Sequence, residues 1–287
     1  MLGAELWFKC ENLQKVGAFK ARGATNAVMA MDAESIRRGF IAHSSGNHGQ
    51  AVAFAAALRG VPAYIVMPDG ASPVKREAVI GYGAEVITCT EGHREETAAA
   101  VAERTGASLI HPFDDPVVIA GQATAALELL TDVPDLDVVL TPIGGGGLLS
   151  GTAVACATMA PSTAVVGAEP ETVDDAFRSL ASGIRQPRLP GTSSIADGLL
   201  TGIGALPFEI LTSLGTSIVC VDETAIVEAA RLFLQRTKLL IEPSAATTIA
   251  ALRTQPTRFD GKRVGVIISG GNTDLAWLQP VASGQRR

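Results

Sequence analysis

Short aliphatic runs alternate with alanine-rich stretches along almost the whole chain. The aliphatic runs have the composition of buried strands, whereas the stretches between them show helical spacing or consist of strong helix formers. We predict strands at Glu5–Lys9, Gly39–Ser44, Ala63–Met67, Glu85–Cys89, Val138–Thr141, Ala164–Glu169, Ser217–Val221 and Arg263–Ser269. We predict helices at Ala24–Met31, Gly49–Arg59, Pro73–Tyr82, Glu91–Thr105, Gly121–Leu130, Leu148–Ala157 and Glu223–Arg236. This alternation predicts an α/β protein with open, mostly parallel sheets and helices on both faces.

The composition excludes several classes of protein. The chain has 287 residues, 47% of them apolar, so it can bury a substantial core and is too apolar for a disordered protein. Its net charge is −6 and its Lys and Arg residues form no cluster, which argues against binding to nucleic acid. The apolar stretch Asp137–Leu149 is broken by Pro142 and four glycines, well before it reaches the length of a membrane span. We therefore expect a soluble protein that binds neither nucleic acid nor membrane.

The cysteines and the start of the chain bear on the compartment. The four cysteines form no C-x-x-C pair and are far apart, at Cys10, Cys89, Cys156 and Cys220. The first residues lack the basic and apolar regions of a secretory signal. Both features favour free thiols in a reducing compartment, so we expect a cytoplasmic protein.

Ligands of parallel sheets bind beyond the C-terminal ends of the strands, so candidate chemistry is expected in the turns there. The first candidate is Lys20, which follows Phe19 near the start of a predicted helix. A lysine in apolar surroundings has a lowered pKa, which suits its amine to Schiff-base chemistry. Viewed alone, this segment more often indicates a solvated lysine at the start of a helix.

A second candidate turn, Ser44 to Gln50, reads SSGNHGQ and lies between a predicted strand and an alanine-rich helix. Its Ser and Asn side chains can cap that helix, and the first amides of the helix form an anion site. A substrate carboxylate therefore fits this turn, although capping alone explains two of its residues.

The third candidate turn, Thr141 to Leu148, contains four consecutive glycines. Such a run lets backbone amides surround an anion, so a phosphate is its natural ligand. A P-loop is excluded because no lysine follows the glycines, and a dinucleotide fingerprint lacks its sixth residue, since Leu149 or Ser150 stands there. Glu169 lies at about the right distance for a ribose contact, which leaves an NAD-dependent dehydrogenase as a remote alternative.

The fourth candidate turn, Ser269 to Asn272, ends the last predicted strand and can place a hydroxyl against a ring nitrogen. A simple turn explains this segment equally well when it is viewed alone. Together, however, the four turns supply an amine nucleophile, a carboxylate site, a phosphate cradle and a neutral hydroxyl. This combination matches the needs of a pyridoxal phosphate enzyme.

At the level of whole motifs, the chain resembles the fold-type II (tryptophan synthase β-like) pyridoxal phosphate family, in its serine/threonine dehydratase and serine racemase branch. The matching segments occur in family order over nearly the whole chain, at Lys9–Gln14, Phe19–Gly23, Ser44–Gln50, Gly144–Gly147, Ile195–Gly198, Lys238–Pro243 and Ser269–Asn272. The resemblance implies two α/β domains with pyridoxal 5'-phosphate in the cleft between them. We expect a small domain at 39–116, inserted into a large cofactor-binding domain formed by 1–38 and 117–287.

The resemblance also implies a role for each candidate residue. Lys20 would bind the cofactor aldehyde and later move the Cα proton of the substrate. Phe19 would lie beside the cofactor, Asn47 would contact its ring hydroxyl, and Ser269 would contact its pyridine nitrogen. The phosphate would be held by Gly144, Gly145, Gly146 and Gly147. The substrate would be held by Ser44, Ser45, Asn47 and His48.

The activity that we expect is that of a deaminating dehydratase (ammonia-lyase). It would convert L-threonine or L-serine to a 2-oxo acid and ammonia by β-elimination, with 3-hydroxyaspartate as a further candidate substrate. A neutral serine at the pyridine nitrogen makes the ring a weaker electron sink, which suits elimination better than transamination.

Two alternatives remain open. One is a serine racemase with side eliminase activity, in which Ser45 would be the catalytic residue that reprotonates Cα on the face opposite Lys20. The other is a truncated, non-catalytic form that binds the cofactor. Family members usually carry an N-terminal arm before the strand that starts here near Glu5, and its absence would weaken the homodimer that we otherwise expect.

The segment Glu169 to Asp175, EPETVDD, resembles the loop that binds Mg²⁺ or Ca²⁺ in racemase-like members. The resemblance implies the carboxylates of Glu169 and Asp175 and the carbonyl of Val173 as ligands, an oxygen set that suits a hard cation. An acidic surface loop at the start of a helix is the alternative.

Overall fold

The computed structural model describes residues 3–32, 34–44, 46–71 and 73–278. The strands are β1 (Glu5–Cys10), β2 (Phe40–His43), β3 (Ala63–Pro68), β4 (Glu85–Cys89), β5 (Ser108–Leu109), β6 (Val138–Pro142), β7 (Ala164–Pro170), β8 (Ser217–Val221) and β9 (Arg263–Ile268). The α-helices are α1 (Lys20–Ala30), α2 (Asn47–Arg59), α3 (Pro73–Gly81), α4 (Arg94–Thr105), α5 (Pro116–Asp132), α6 (Gly147–Met159), α7 (Asp175–Ser182), α8 (Ala205–Ser213), α9 (Glu223–Thr237), α10 (Pro243–Thr254) and α11 (Pro256–Phe259).

The strands form two sheets, one with the order β1-β9-β6-β7-β8 and the other with the order β4-β3-β2-β5. Every strand pairing in both sheets is parallel. The predicted α/β architecture is therefore confirmed. Among the described residues, no helix combines the length and apolar character that crossing a bilayer requires.

The five-stranded sheet is covered on both faces because its central strands are apolar on both sides. In β6, Val138 and Leu140 pack into a core with α9 and α10, whereas Val139 packs on the opposite face with α5 and α6. All five residues of β6 are buried, which explains why this strand reads as a continuous apolar run rather than an alternating one.

The four-stranded sheet follows the same rule with different helices. Phe40 and Ile65 face a core shared with α1 and α2, whereas Ile41 and Val66 face α4. Successive residues of a strand point to opposite faces, so each of these strands contributes to two cores.

Several elements differ from the sequence prediction, and two of these differences have a clear physical reason. Helix α1 starts at Lys20 rather than Ala24, and it packs against both α2 and α5. Helix α10 is missed by the pattern because every residue from Pro243 to Leu252 is buried. A helix that is buried on all sides has no polar face, and the helical period then disappears from the sequence.

Arg22 connects three elements near the start of α1. Its guanidinium binds both carboxylate oxygens of Glu11 at 2.7 and 2.8 Å, and both oxygens of Glu128, on α5, at 2.7 and 2.6 Å. Glu11 is only 2% exposed, whereas Glu128 is partly exposed and also pairs with Lys9 at 2.6 Å. The hydrogen bonds from Arg22 lower the pKa of Glu128 to about 2. Bidentate pairs of this kind fix orientation as well as distance.

We expect Arg22→Gln to lower the free energy of unfolding by about 3–5 kcal/mol, because it leaves the buried Glu11 carboxylate without its charged partner. Arg253→Gln is the matched control, since Arg253 pairs with the exposed Glu228 and its loss should cost about 1 kcal/mol or less. Urea unfolding of the two variants measures the difference. Equal losses would contradict the role that we assign to Arg22.

Candidate active site

The candidate turns meet at one cavity of about 560 Å³, but they come from two sheets rather than one. The Ser44 turn follows β2 of the four-stranded sheet. The glycine turn follows β6 and Ser269 follows β9, both in the five-stranded sheet. The cavity therefore lies where the C-terminal ends of two parallel sheets face each other, the position expected for a ligand of such sheets.

Lys20 is the first residue of α1 and lines the cavity. Its Nζ donates a hydrogen bond to the carbonyl oxygen of Pro112 at 2.6 Å and lies 5.2 Å from the centre of the Phe19 ring. Burial lowers the pKa of Lys20 to about 8, and the negative charge of Glu242 partly opposes this effect. A substantial fraction of the amine is therefore neutral near physiological pH, as a nucleophile requires.

The glycine turn is shaped so tightly that side chains do not fit. A Cβ atom at Gly144 would lie 2.9 Å from the Cα atom of Leu199, and one at Gly145 would collide with the ring of Phe113. Gly146 has φ = 92°, a backbone angle that residues with a side chain rarely adopt. It immediately precedes α6. The first amides of α6 thus open onto a close-fitting backbone turn, an arrangement suited to a phosphate.

Ser269 is 2% exposed and lines the cavity beside the lysine segment. Its backbone carbonyl accepts a hydrogen bond from the N–H of Phe19 at 2.9 Å, and Ala18 forms a bridge with Gly270. Main-chain contacts thus connect Ser269, whose hydroxyl is predicted to contact the ring nitrogen, to Phe19, the residue before Lys20.

The Ser44 turn supplies three described cavity residues that were predicted to hold the substrate, namely Ser44, Asn47 and His48, while Ser45 lies outside the described residues. The Ser44 hydroxyl accepts a hydrogen bond from the N–H of Gly46 at 3.2 Å, and Asn47 starts α2. His48 is buried, and its Nε2 lies 2.8 Å from the carbonyl oxygen of Ile110. Burial lowers the pKa of His48 to about 3, so this ring stays neutral and carries its proton on Nε2.

Several cavity residues were not singled out from the sequence. Glu242, Asn272 and Asp197 belong to segments that carry the family resemblance, but the motifs gave them no role. His111 belongs to no sequence motif, yet it lines the cavity, and its Nδ1 accepts the backbone N–H of Asp114 at 2.8 Å. These residues are far apart in the sequence, and no local pattern brings them together.

An ion pair spans the mouth of the cavity. Lys75 on α3, beside the four-stranded sheet, pairs with Asp197 in the segment that precedes α8. Both side chains line the cavity, and Asp197 is 51% exposed. This pair links the two halves of the cavity at its solvent-facing edge.

The predicted cation ligands lie outside the cavity. Both Glu169 oxygens accept backbone N–H groups of α7, at 3.0 and 2.8 Å, and Asp175 accepts the N–H of Ile203 at 2.8 Å. Burial raises the pKa of Glu169 to about 8 and also raises the pKa of Asp175. Each carboxylate oxygen retains a lone pair, so the two groups can still bind a hard cation. Within the described ranges, no three His, Cys, Asp or Glu side chains are grouped as metal ligands.

Comparisons with known proteins agree with this geometry. The family model described as pyridoxal-phosphate dependent enzyme matches residues 1–270. Serine racemase of Dictyostelium discoideum is 48% identical over 98% of this chain and 88% of that protein, and its crystal structure has a TM-score of 0.90 over 96% of this chain and 89% of that one. A β-hydroxyaspartate dehydratase of Paracoccus denitrificans is 45% identical over 96% of this chain and 88% of that protein. The crystal structure of a threonine deaminase from T.th. is 44% identical and has a TM-score of 0.90, over 95% of this chain and 89% of that one.

The residues that line the cavity fit pyridoxal phosphate. Lys20 offers an amine with a lowered pKa for the aldehyde, the turn from Gly144 to Gly147 lines the cavity with main-chain atoms at the start of α6, and Ser269 offers a hydroxyl. These groups come from three different elements that meet only in the folded chain.

We expect Gly146→Ala to weaken binding of pyridoxal phosphate at least tenfold and to lower the free energy of unfolding by about 1–3 kcal/mol, the cost of a strained backbone. The new methyl group would lie 2.6 Å from Cβ of Pro207, at a backbone angle that alanine rarely adopts. Gly70→Ala is the control, since no atom lies within 4 Å of its added Cβ and its φ is not positive. Fluorescence titration with the cofactor and urea unfolding measure both effects. A Gly146→Ala protein that binds like the control would refute the phosphate assignment.

Proposed function

This chain belongs to the fold-type II family of pyridoxal-phosphate-dependent enzymes, and on that basis we propose that it is a serine racemase that also eliminates water from L-serine. The sequence motifs placed the dehydratase first, and the 48% identity to a serine racemase over 98% of the chain now favours the reverse order. The observation that carries the proposal is the amine of Lys20, which lines the cavity with a pKa of about 8.

Pyridoxal phosphate, when bound, supplies the electron-withdrawing ring that makes the Cα proton of an amino acid acidic. The protein must then hold and move that proton. Lys20 can take it, since an amine with a pKa near the working pH is an efficient general base. Ser45 is our candidate for the group that returns a proton to the opposite face. The amides at the start of α2 and the glycine turn would hold the carboxylate and the phosphate.

A second candidate function is a dehydratase acting on L-threonine or 3-hydroxyaspartate. The 45% identity to a β-hydroxyaspartate dehydratase and the 44% identity to a threonine deaminase favour it. Both reactions begin with removal of the Cα proton, so Lys20 would have the same first task. They differ in the second step, because racemisation needs a proton donor on the second face, whereas elimination needs the β-hydroxyl to leave.

We also propose that Mg²⁺ or Ca²⁺ binds at Glu169, Val173 and Asp175. The support is chemical, since two neighbouring buried carboxylates, on β7 and at the start of α7, accept three backbone hydrogen bonds and still have free lone pairs. Asp175 also binds the N–H of Ile203, whose neighbours line the cavity, so a cation there would stiffen one cavity wall.

Incubation with pyridoxal phosphate and L-serine is expected to yield D-serine and, more slowly, pyruvate. Chiral chromatography and a 2-oxo acid assay measure the two products, with L-threonine and 3-hydroxyaspartate tested in parallel. Lys20→Ala should lose both products, whereas Ser45→Ala should lose D-serine and keep pyruvate. Lys262→Ala, at a surface lysine, is the control. Release of 2-oxo acid without any D-serine would overturn the racemase proposal in favour of the dehydratase.

Addition of Ca²⁺ or Mg²⁺ to the metal-free protein is expected to raise its Tm by about 5 °C or more at a hundredfold excess over the dissociation constant. Asp175→Asn should abolish this rise, because the amide keeps the hydrogen bond to Ile203 but loses the charge. Asp174→Asn is the control, since Asp174 pairs with Arg178 at 2.8 Å. A shift that persists in Asp175→Asn, or no shift in the unaltered protein, would refute the site.

A further inference from the structure

Three polar side chains form a hydrogen-bonded series that ends at the cavity. The Nδ2 of Asn272 donates to the carbonyl oxygen of Val16 at 2.6 Å and to Oδ1 of Asn47 at 2.9 Å. The Nδ2 of Asn47 then donates to the two carboxylate oxygens of Glu242 at 3.1 and 3.0 Å. The series connects side chains that are as much as 225 positions apart in the chain.

The direction of these hydrogen bonds is determined at both ends. Both N–H groups of Asn272 are used, so the side-chain oxygen of Asn47 must accept. An ionised carboxylate can only accept, so Glu242 requires the NH₂ group of Asn47 on its side. One N–H of Asn47 is shared between the two Glu242 oxygens, and the other is left for the cavity that Asn47 lines. Asn47 therefore offers a donor, and its ligand must offer an acceptor oxygen.

Glu242 is 4% exposed and sits just before α10. A Cβ atom at Gly270 would lie 2.8 Å from its Oε1, so the carboxylate is pressed against the turn that carries Ser269. Besides Asn47, the backbone N–H of Asn272 binds the carboxylate. The charged groups that act on it are Asp197, Lys75 on α3 and Lys20 on α1.

The protonation state of Glu242 decides whether its end of the series enforces the direction, in addition to the constraint from Asn272. Burial raises its pKa to about 7, and the nearby Asp197 raises it further, whereas the bond from Asn47 and the charge of Lys75 lower it. A protonated carboxyl group has a donor of its own and tolerates either orientation of the Asn47 amide. The constraint from Glu242 is therefore fully present above neutral pH and is lost as the pH falls through about 7, where only the constraint from Asn272 remains.

We propose that Glu242 is a positioning residue: its ionised carboxylate holds Asn47 as a hydrogen-bond donor toward the ring oxygen of the cofactor. The inference rests on the proposed function, because it takes pyridoxal phosphate as the ligand of the cavity. It goes beyond the motif, which assigns Asn47 a contact but does not say which of its two polar atoms makes it or what fixes that choice.

The test compares the dissociation constant of pyridoxal phosphate for Glu242→Gln with that for the unaltered protein, at pH 8 and at pH 6. Gln has the shape of Glu but no charge. We expect a ratio of about 3 to 10 at pH 8, the effect of one hydrogen bond, and a ratio close to 1 at pH 6, where Glu242 is itself neutral. The ratio cancels the titration of the cofactor phosphate, which both proteins share. It does not cancel that of Lys20, because the charge of Glu242 raises the pKa of this amine. The pKa of Lys20 is therefore measured in both proteins, and each ratio is corrected for it.

Three further variants separate positioning from a general structural effect. Glu242→Asp should restore the dependence of the ratio on pH, because it restores the charge. Asn272→Ala removes the other constraint on Asn47 and should weaken binding by a similar factor at both pH values. Glu228→Gln is the control, since Glu228 pairs with Arg253 at 3.0 Å, neither residue lines the cavity, and its change should leave the ratio at 1.

The outcomes distinguish this inference from the proposed function. A ratio for Glu242→Gln that is the same at pH 6 and pH 8 overturns the positioning role, whatever its size, while the proposed function stands. Failure of the unaltered protein to bind pyridoxal phosphate overturns the proposed function itself. The assay needs no substrate, so it is independent of whether serine is racemised or dehydrated.

Discussion

The paired bonds from Arg22 to Glu11 and Glu128 set the position of the element on which the cavity depends. Arg22 lies two residues after Lys20, and its guanidinium is bound on two sides, at the end of β1 and on α5. Helix α1 cannot rotate or slide without breaking bonds to a carboxylate that is almost fully buried. The amine of Lys20 is thus placed by a rigid network behind it, while the amine itself needs only one bond, to Pro112. A reactive group is positioned best when surrounding residues fix the element that carries it and leave the group itself available to react.

The two sheets divide the work of the cavity. The five-stranded sheet supplies the glycine turn and Ser269, and the four-stranded sheet supplies the turn from Ser44 to His48. The amine comes from α1, which packs against both α2 and α5. Most residues that were predicted to bind the cofactor thus follow strands of the five-stranded sheet, and those predicted to hold the substrate follow a strand of the four-stranded sheet. Asn47 is the exception, since it starts α2 but forms hydrogen bonds with Glu242 and Asn272, which lie on the side of the five-stranded sheet.

Much of this arrangement is visible in the sequence, because strands, glycine turns and helix starts leave local patterns. The strand predicted at Val138–Thr141 and the glycines after it indicate both a buried strand and a phosphate turn, and the structure has the buried strand and the close-fitting turn together. The sequence does not show which residues from distant parts of the chain come into contact. Glu242 meets Asn47 across 195 positions, and only the fold makes that pair. The same holds for the pKa of Lys20, which depends on burial by residues from other elements.

The ion pair between Lys75 and Asp197 has a consequence for how ligands reach the amine. It joins α3 to the segment that precedes α8 at the cavity mouth, and Asp197 is half exposed to water. An ion pair in such a position contributes about 1 kcal/mol or less, and dissolved salt weakens it. Breaking this ion pair therefore costs little more than thermal energy, so the pair itself should slow the entry and release of small ligands only slightly. Ligands should also enter and leave faster as ionic strength rises, because dissolved salt weakens the ion pair.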